Sequence, residues 1–168
     1  MGTIDISAAE AEAKERLVRS LQTKGAHLPF EDAVKDFPER LINEKPSNVP
    51  YTFWHQIEHI RICQWDILEY VKKPDHTSPS WPAGYWPDPA ATAGKAAWDK
   101  SIEQYYSDRK DFVAMIQADN VQVLAPVQHN NGRSIMGSVL IVVDHNAYHL
   151  GEFVMGRQIL GAWQSALA

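Results

Sequence analysis

The residues best suited to chemistry in this sequence are histidines, which occur as two pairs with the same spacing. His145 and His149 form one pair, and His55 and His59 form the other. In an α-helix, residues four apart differ by about 40° around the axis, so each pair would place both imidazoles on one face. Such a pair indicates a metal site, a hydrogen-bonded pair in a helical core, or two surface residues without a shared role.

The surroundings of His145 and His149 favour burial. A helix is predicted from Ser134, its cap residue, to Leu160, with Gly161 ending it. Apolar residues cover most of its directions, which is typical of a buried helix: Ile135, Val139, Leu140, Val142, Val143, Leu150 and Val154. An unsatisfied buried ring nitrogen costs about 1–3 kcal/mol, and a metal ion would satisfy both rings at once.

The second pair lies on a helix predicted over residues 51–72. One side of this helix carries its main apolar stripe. The nearly opposite side carries a second stripe, which consists of His55, His59, Ile62 and Asp66. That stripe either faces water or forms a second buried face that meets the last helix; Cys63 and Tyr70 nearby favour burial. Three imidazoles with an open position are typical of a catalytic zinc or nickel site, whereas four would close the site.

Two carboxylates and the single cysteine lie close to the histidine stripes. Glu152 and Asp66 are candidates to orient a ligand imidazole or to act as a base; the alternative is a buried carboxylate paired with Arg61, Arg157 or the backbone. Cys63 is a possible fourth ligand or, alternatively, a small buried hydrophobe. One cysteine excludes an internal disulfide and a multi-cysteine zinc site, and it favours a reducing compartment.

Two further helices complete the predicted set. Ser7 and Glu10 have the spacing of a capping box for a helix over residues 8–24 that ends at Gly25. A short helix is expected within residues 30–36. Asp88 and Pro89 suit the cap and first residue of a helix over residues 90–118.

Residues 74–90 form a loop that holds five of the ten prolines together with Trp81 and Trp86. A loop of this length is either a functional lid or an aromatic cover packed over the end of a bundle. Fully extended at ~3.3 Å per residue, it can span the length of a 20-residue helix, about 30 Å. The helices that flank it can therefore run parallel, joined by a long crossover.

Composition excludes several classes of function. The chain has 168 residues and a formal net charge of −5, which argues against a non-specific nucleic-acid binder. It contains neither an export signal nor an apolar run of ~20 residues, so we expect no membrane association and a cytoplasmic location. Phosphate loops, nucleophile elbows and zinc-protease motifs are missing. We expect one helical domain over residues 1–168.

Three segments together resemble the DinB-like superfamily. The first runs from Trp54 through Glu58-His59-Ile60-Arg61 to Leu68; the second is Gly84-Tyr85-Trp86-Pro87; the third is His145-Asn146-Ala147-Tyr148-His149-Leu150-Gly151. The resemblance covers roughly residues 8–163. It implies an all-α four-helix bundle in up-down-down-up order, with a long crossover between the second and third of its four helices.

The resemblance also implies a function and a ligand set. The metal, zinc or nickel, would be bound by His59, His145 and His149, with His55, Cys63, Trp81 and Trp86 as further pocket residues. Members of the superfamily include thiol-dependent transferases and proteins described as metal-dependent hydrolases, and many are homodimers. We therefore expect a metal-dependent hydrolase or thiol transferase that acts on a small molecule, with a low-molecular-weight thiol as one candidate partner. The alternative is a non-catalytic bundle that binds a metal or a small ligand.

Overall fold

A computed structural model describes residues 6–22, 25–129 and 132–163 of the chain. Within them the regular structure is helical, which agrees with the all-α prediction. The α-helices are α1 (Ile6–Gln22), α2 (Phe30–Val34), α3 (Phe53–Lys72), α4 (Lys95–Gln117) and α5 (Ile135–Ile159). Short 3₁₀ turns cover Glu39–Leu41 and Ala83–Tyr85.

The last helix begins and ends as its sequence predicts. The hydroxyl of Ser134 accepts a hydrogen bond from the backbone N–H of Gly137 at 3.1 Å, which caps the first turn of α5. Gly161 follows the helix with a φ of +65°, a conformation that glycine adopts without steric cost. The boundaries of α5 are therefore set locally.

The start of α4 differs from the prediction. Asp88 does not cap the helix; its carboxylate and carbonyl instead accept hydrogen bonds from the N–H groups of Ala90 and Ala91, which closes a separate turn. The Asn43 side chain then binds both the N–H and the C=O of Ala93. These contacts hold the segment extended, so α4 begins at Lys95, with Gly94 as its cap residue.

The start of α1 also differs from the predicted capping box. Ile6 and Ser7 both lie within the described helix, so Ser7 is not its cap residue. The Glu10 carboxylate accepts hydrogen bonds from the backbone N–H groups of Val123 and Leu124. Glu10 thus ties α1 to the connection before α5. Residues 23 and 24, at the predicted end of this helix, lie outside the described residues.

Contacts between helices define the order of the bundle. Along α3 and α4 the paired residue numbers rise together: Trp54 with Ser101, Gln64 with Tyr105 and Lys72 with Asp111. The two helices are therefore parallel, as predicted, and the crossover that joins them covers residues 73–94, which include the predicted loop over residues 74–90. Gln56 contacts Glu152 and Gln64 contacts Asn146, so α3 and α5 are antiparallel.

The position of α1 completes the up-down-down-up order. Lys14 donates a hydrogen bond to the carbonyl of Ala118, and Arg109 donates one to that of Leu21, which makes α1 antiparallel to α4. The predicted fold is therefore confirmed. Among the described residues, no helix combines the length and hydropathy needed to cross a bilayer.

Candidate metal centre

Two imidazoles of one helix contact a third imidazole on another helix. His59 lies on α3, and His145 and His149 lie one turn apart on α5. The Nε2 atom of His59 is 3.2 Å from Nε2 of His149 and 3.1 Å from Nε2 of His145. Nitrogen atoms bound to one tetrahedral zinc at 2.0–2.1 Å lie roughly 3.3 Å apart, so both of these distances are compatible with a shared ion.

The other ring nitrogens determine which atoms carry protons. Nδ1 of His59 lies 2.8 Å from the carbonyl oxygen of Tyr85, and Nδ1 of His149 lies 2.8 Å from Oε2 of Glu152. Both oxygens are acceptors, so in the neutral rings the proton is on Nδ1 and Nε2 presents a bare lone pair. A proton on Nε2 of His145 could satisfy one of these lone pairs but not both. A divalent cation bound by the Nε2 atoms of the three rings would satisfy both of these lone pairs and His145 as well.

Burial keeps the ring of His59 neutral. It is 2% exposed, and burial lowers the pKa of His59 to about 4, assisted by the neighbouring His149 and His145. Burial also lowers the pKa of His145. A neutral imidazole is the form that binds metal ions, so these two rings need not lose a proton near pH 7.

Cys63 lies one turn beyond His59 on α3. Its Sγ atom is 3.6 Å from Nδ1 and 3.8 Å from Nε2 of His59. His59, Cys63 and His145 offer donor atoms that all lie within 4.8 Å of one another, a group that could hold a metal ion. Burial raises the pKa of the Cys63 thiol to about 12. The sulfur is therefore close enough to be a fourth donor, but it is a thiol in the metal-free protein.

The crossover covers one face of His59. The ring of Trp86 stacks on His59 at 3.8 Å between centroids and 5° between planes. The neighbouring carbonyl of Tyr85 is the acceptor for His59 Nδ1. This segment therefore both shields the ring and fixes its orientation. Trp81 lies outside this cover: it is 75% exposed, and its ring contacts Tyr85 at 5.5 Å.

Asp66 anchors this part of the crossover. One carboxylate oxygen accepts a 2.7 Å hydrogen bond from the Tyr85 hydroxyl, and the other lies 2.7 Å from Nε2 of His76. The buried Asp66 thus acts on His59 through Tyr85. The alternative partner Arg61 pairs with Glu58 at 2.5 Å instead.

Glu152 lies behind His149 and collects several donors. Its Oε2 atom accepts from His149, from the Tyr51 hydroxyl at 3.0 Å and from the Gln56 amide at 3.1 Å. Burial raises the pKa of Glu152, but the hydrogen bonds from His149, Tyr148 and Tyr51 outweigh this and lower it. Glu152 is therefore a carboxylate that orients His149. Arg157, its alternative partner, donates to the carbonyls of residues 33, 35 and 162.

His55 is buried but lies outside the cluster. Its Nδ1 accepts from the backbone N–H of Thr52 in a capping box, and its Nε2 lies 3.0 Å from the carbonyl oxygen of Ala91. Both ring nitrogens are thus used in placing the start of α3 and the end of the crossover. The second stripe of α3 is buried rather than solvated, since His55, His59 and Asp66 are each no more than 6% exposed.

Four residues of this environment were not predicted: Tyr51, Gln56, His76 and the backbone of Tyr85. Gln56 had a signal, because it lies on the buried side of α3 one turn before His59. His76 appeared as an isolated histidine in the loop, and its pairing with Asp66 depends on how the loop folds. A backbone carbonyl has no sequence signature at all.

The fold and the cluster together define a class, an all-α bundle with a crossover and a possible metal site made of side chains from two helices. The family model of the DinB superfamily matches residues 26–153, so the chain belongs to this superfamily. No curated protein and no solved structure matches the chain.

Proposed function

We propose that this protein is a metal-dependent enzyme that acts on a small molecule, as a hydrolase or a thiol transferase. The ligands are Nε2 of His59, His145 and His149. The observation that carries the proposal is the contact of these atoms, with Nε2 of His59 3.2 Å from Nε2 of His149 and an oxygen acceptor 2.8 Å from Nδ1 of each of these two rings. A metal site explains this contact, whereas a hydrogen-bonded core pair needs a proton between the two atoms.

Zinc or nickel suits three imidazole ligands. When bound with an open position, such an ion supplies Lewis acidity that lowers the pKa of a bound water or holds a thiol as its thiolate. The first use supports hydrolysis and the second supports thiol transfer to an electrophile.

The residues around the ligands have positioning roles in this proposal. Glu152 holds the Nδ1 proton of His149, and the Tyr85 carbonyl holds that of His59, so both rings keep Nε2 directed at the same point. Trp86 excludes water from one face of His59. Glu152 is a less suitable base than the sequence suggested, because three donors already occupy its Oε2.

The second candidate function is a non-catalytic metal-binding bundle. Cys63 favours it, since its Sγ lies 3.8 Å from Nε2 of His59. A fourth protein donor would close the coordination sphere, as in structural zinc sites. The two functions differ in whether a substrate can reach the ion.

The first test is the metal content of untagged protein compared with a His145→Ala/His149→Ala variant. We expect about one divalent ion per chain in the unaltered protein and none in the variant; equal content would refute the proposed site. The second test is a screen of small thiols with electrophilic substrates, with and without a chelator. Turnover that the chelator abolishes supports the enzyme, and metal binding without turnover supports the second candidate.

A further inference from the structure

A cavity of about 200 Å³ lies beside the metal centre, between the C-terminal half of α5 and residues 46–56. Its walls are mostly apolar and include Phe53, Met155 and Ile159. Its polar side chains are Tyr51, Thr52, Gln56 and Glu152, and those of Tyr51 and Gln56 donate hydrogen bonds to Oε2 of Glu152. The same Oε2 atom accepts from His149, so the polar end of the cavity adjoins the ligand imidazoles.

The size of the cavity limits its occupant. An apolar cavity of roughly 150 Å³ accommodates benzene, and pockets for drug-sized ligands are about 300–1,000 Å³. A volume near 200 Å³ therefore suits a molecule with one ring or a short branched chain. Tyr51 and Phe53 provide aromatic contacts for such a body.

The charge of the cavity indicates which charged group its ligand should carry. Glu152 is the single charged side chain among the described residues that line it, and neither lysine nor arginine is among them. Two of the groups that donate to its carboxylate, from Tyr51 and Gln56, carry no charge. A glutamate side chain is ordinarily ionised near neutral pH. A negative charge at the end of an apolar cavity complements a cation with an apolar body.

We propose that this cavity binds a small apolar amine as its ammonium ion, with the ammonium group donating to Glu152 and the body packed against Phe53, Met155 and Ile159. An alcohol of the same shape would fill the cavity but would lack the charge-assisted hydrogen bond. A carboxylate would be repelled by Glu152. The identification of such an amine as the substrate rests on the proposed function; its binding does not.

The test measures binding of benzylammonium, benzyl alcohol and benzoate to the full chain by calorimetry, as purified and after metal removal. We expect benzylammonium to bind about 10-fold or more tightly than benzyl alcohol, and benzoate to bind weakest. In Glu152→Gln the preference for the amine should disappear. The matched control Glu103→Gln, which makes the same change at an exposed position on α4, should keep it.

A cavity-filling variant makes the test independent of the charge. Val49 lines the cavity from the segment before α3, and Val49→Phe should weaken both benzylammonium and benzyl alcohol. Unfolding curves of each variant establish that it is folded. If Glu152→Gln does not fold, the three probes still test the proposal. Their relative affinities for the unaltered chain test the preference for the amine, and the loss of affinity in Val49→Phe tests whether they bind in this cavity.

Three results would overturn the proposal. The first is equal affinity for benzylammonium and benzyl alcohol, the second is a preference for the amine that survives Glu152→Gln, and the third is no binding of any probe. A second copy of the chain that covers Met155 and Ile159 would produce the third result together with a dimer in light scattering. Because metal content is measured separately, metal without amine binding rejects this inference alone, and amine binding without metal rejects the proposed function alone.

Discussion

The Nε2 atoms of His59 and His149 face each other at 3.2 Å, and each ring has a hydrogen-bond acceptor at its opposite nitrogen. Two lone pairs in contact are unfavourable unless a cation lies between them. This relationship supports the proposal that the two rings are metal ligands rather than histidines that merely fill a core. It also separates His59 from His55, which is equally buried but has both nitrogens satisfied by the backbone.

Substitution of these two α3 histidines should therefore give opposite results. We expect His59→Ala to weaken metal binding by more than about 100-fold, beyond the 10–100-fold typical of residues that only support a ligand. We expect His55→Ala to keep the metal but to lower the free energy of unfolding by about 1–2 kcal/mol, because it loses a cap contact and the bond to Ala91. Chelator competition and urea unfolding measure the two effects. Comparable loss of metal in both variants would contradict the assignment.

Asp66 should affect the metal through the crossover. Asp66→Ala leaves the Tyr85 hydroxyl and His76 without their acceptor, so the segment that carries the Tyr85 carbonyl and Trp86 is released. We expect metal affinity to fall about 10-fold and the Trp86 fluorescence to shift.

The matched variant Tyr85→Phe removes one hydroxyl and keeps the carbonyl that accepts from His59. Its effect on metal affinity should be smaller than that of Asp66→Ala. A folded Asp66→Ala protein with unchanged metal affinity would show that the carboxylate does not position the site.

Local sequence signals predicted the elements of the fold but not all of their boundaries. Ser134 and Gly161 determine the ends of α5 through contacts within a few residues, and the apolar stripes of α3 and α5 predicted burial. Asp88 is a good cap residue by type, yet α4 begins at Lys95. The reason is a contact between Asn43 and Ala93, which are 50 residues apart and are brought together by tertiary packing.

The candidate site, like the fold, was predicted only in part from the sequence. The spacing of His145 and His149 places both on one face of any helix, so it could be read directly from the sequence. The choice of His59 over His55 came from the family resemblance, and its physical reason became visible in the hydrogen bonds of the two rings. The role of Tyr85 is carried by a backbone carbonyl, which depends on the path of the crossover rather than on residue type.

Cys63 tests whether the site uses nitrogen ligands alone. Its sulfur is almost equidistant from the two ring nitrogens of His59, so it lies beside the ring rather than specifically in front of Nε2. We expect Cys63→Ser to bind about one metal ion per chain with affinity within roughly 10-fold of the unaltered protein. Cobalt-loaded protein should lack the thiolate charge-transfer absorption. A strong band that disappears in Cys63→Ser would show a fourth, sulfur ligand and favour the non-catalytic function.

Homodimer formation is a further prediction, and α5 is the helix that supports it. Ile141 and Tyr148 lie seven residues apart on one exposed face of α5, and both precede the cavity residues Met155 and Ile159 along the helix. Large apolar side chains grouped on one face are typical of interaction surfaces. Light scattering should give twice the 19.0 kDa of one chain.

Substitution on that face should shift the dimer towards the monomer. We expect Ile141→Glu to do so, whereas Leu124→Glu, at an exposed leucine before α5, should not. A particle of 19.0 kDa at all concentrations of the unaltered protein would contradict the prediction.

Asp108 on α4 gives a prediction about stability that is independent of the site. Its Oδ2 atom is buried and has no hydrogen-bond partner among the described residues. Burial raises the pKa of Asp108 from its ordinary value near 3.8 to about 6, against the opposing charge of Arg61. Because the folded state holds the proton more tightly than the unfolded chain, the carboxyl favours folding below pH 4. That contribution is lost as the pH rises through 6.

Asp108→Asn should therefore stabilise the protein at pH 7 by on the order of 1 kcal/mol, after allowance for partial solvent screening. The gain should shrink as the pH falls from 6 towards 4, because the folded carboxyl of Asp108 takes up a proton and is then uncharged, as the amide is. Urea unfolding at pH 7 and pH 4 measures it. Asp111→Asn is the control, since Asp111 is exposed and pairs with Lys72 at 3.0 Å, and its loss should cost less than about 1 kcal/mol at pH 7. An Asp108→Asn protein that is less stable at pH 7 would show that the buried carboxylate has a favourable partner.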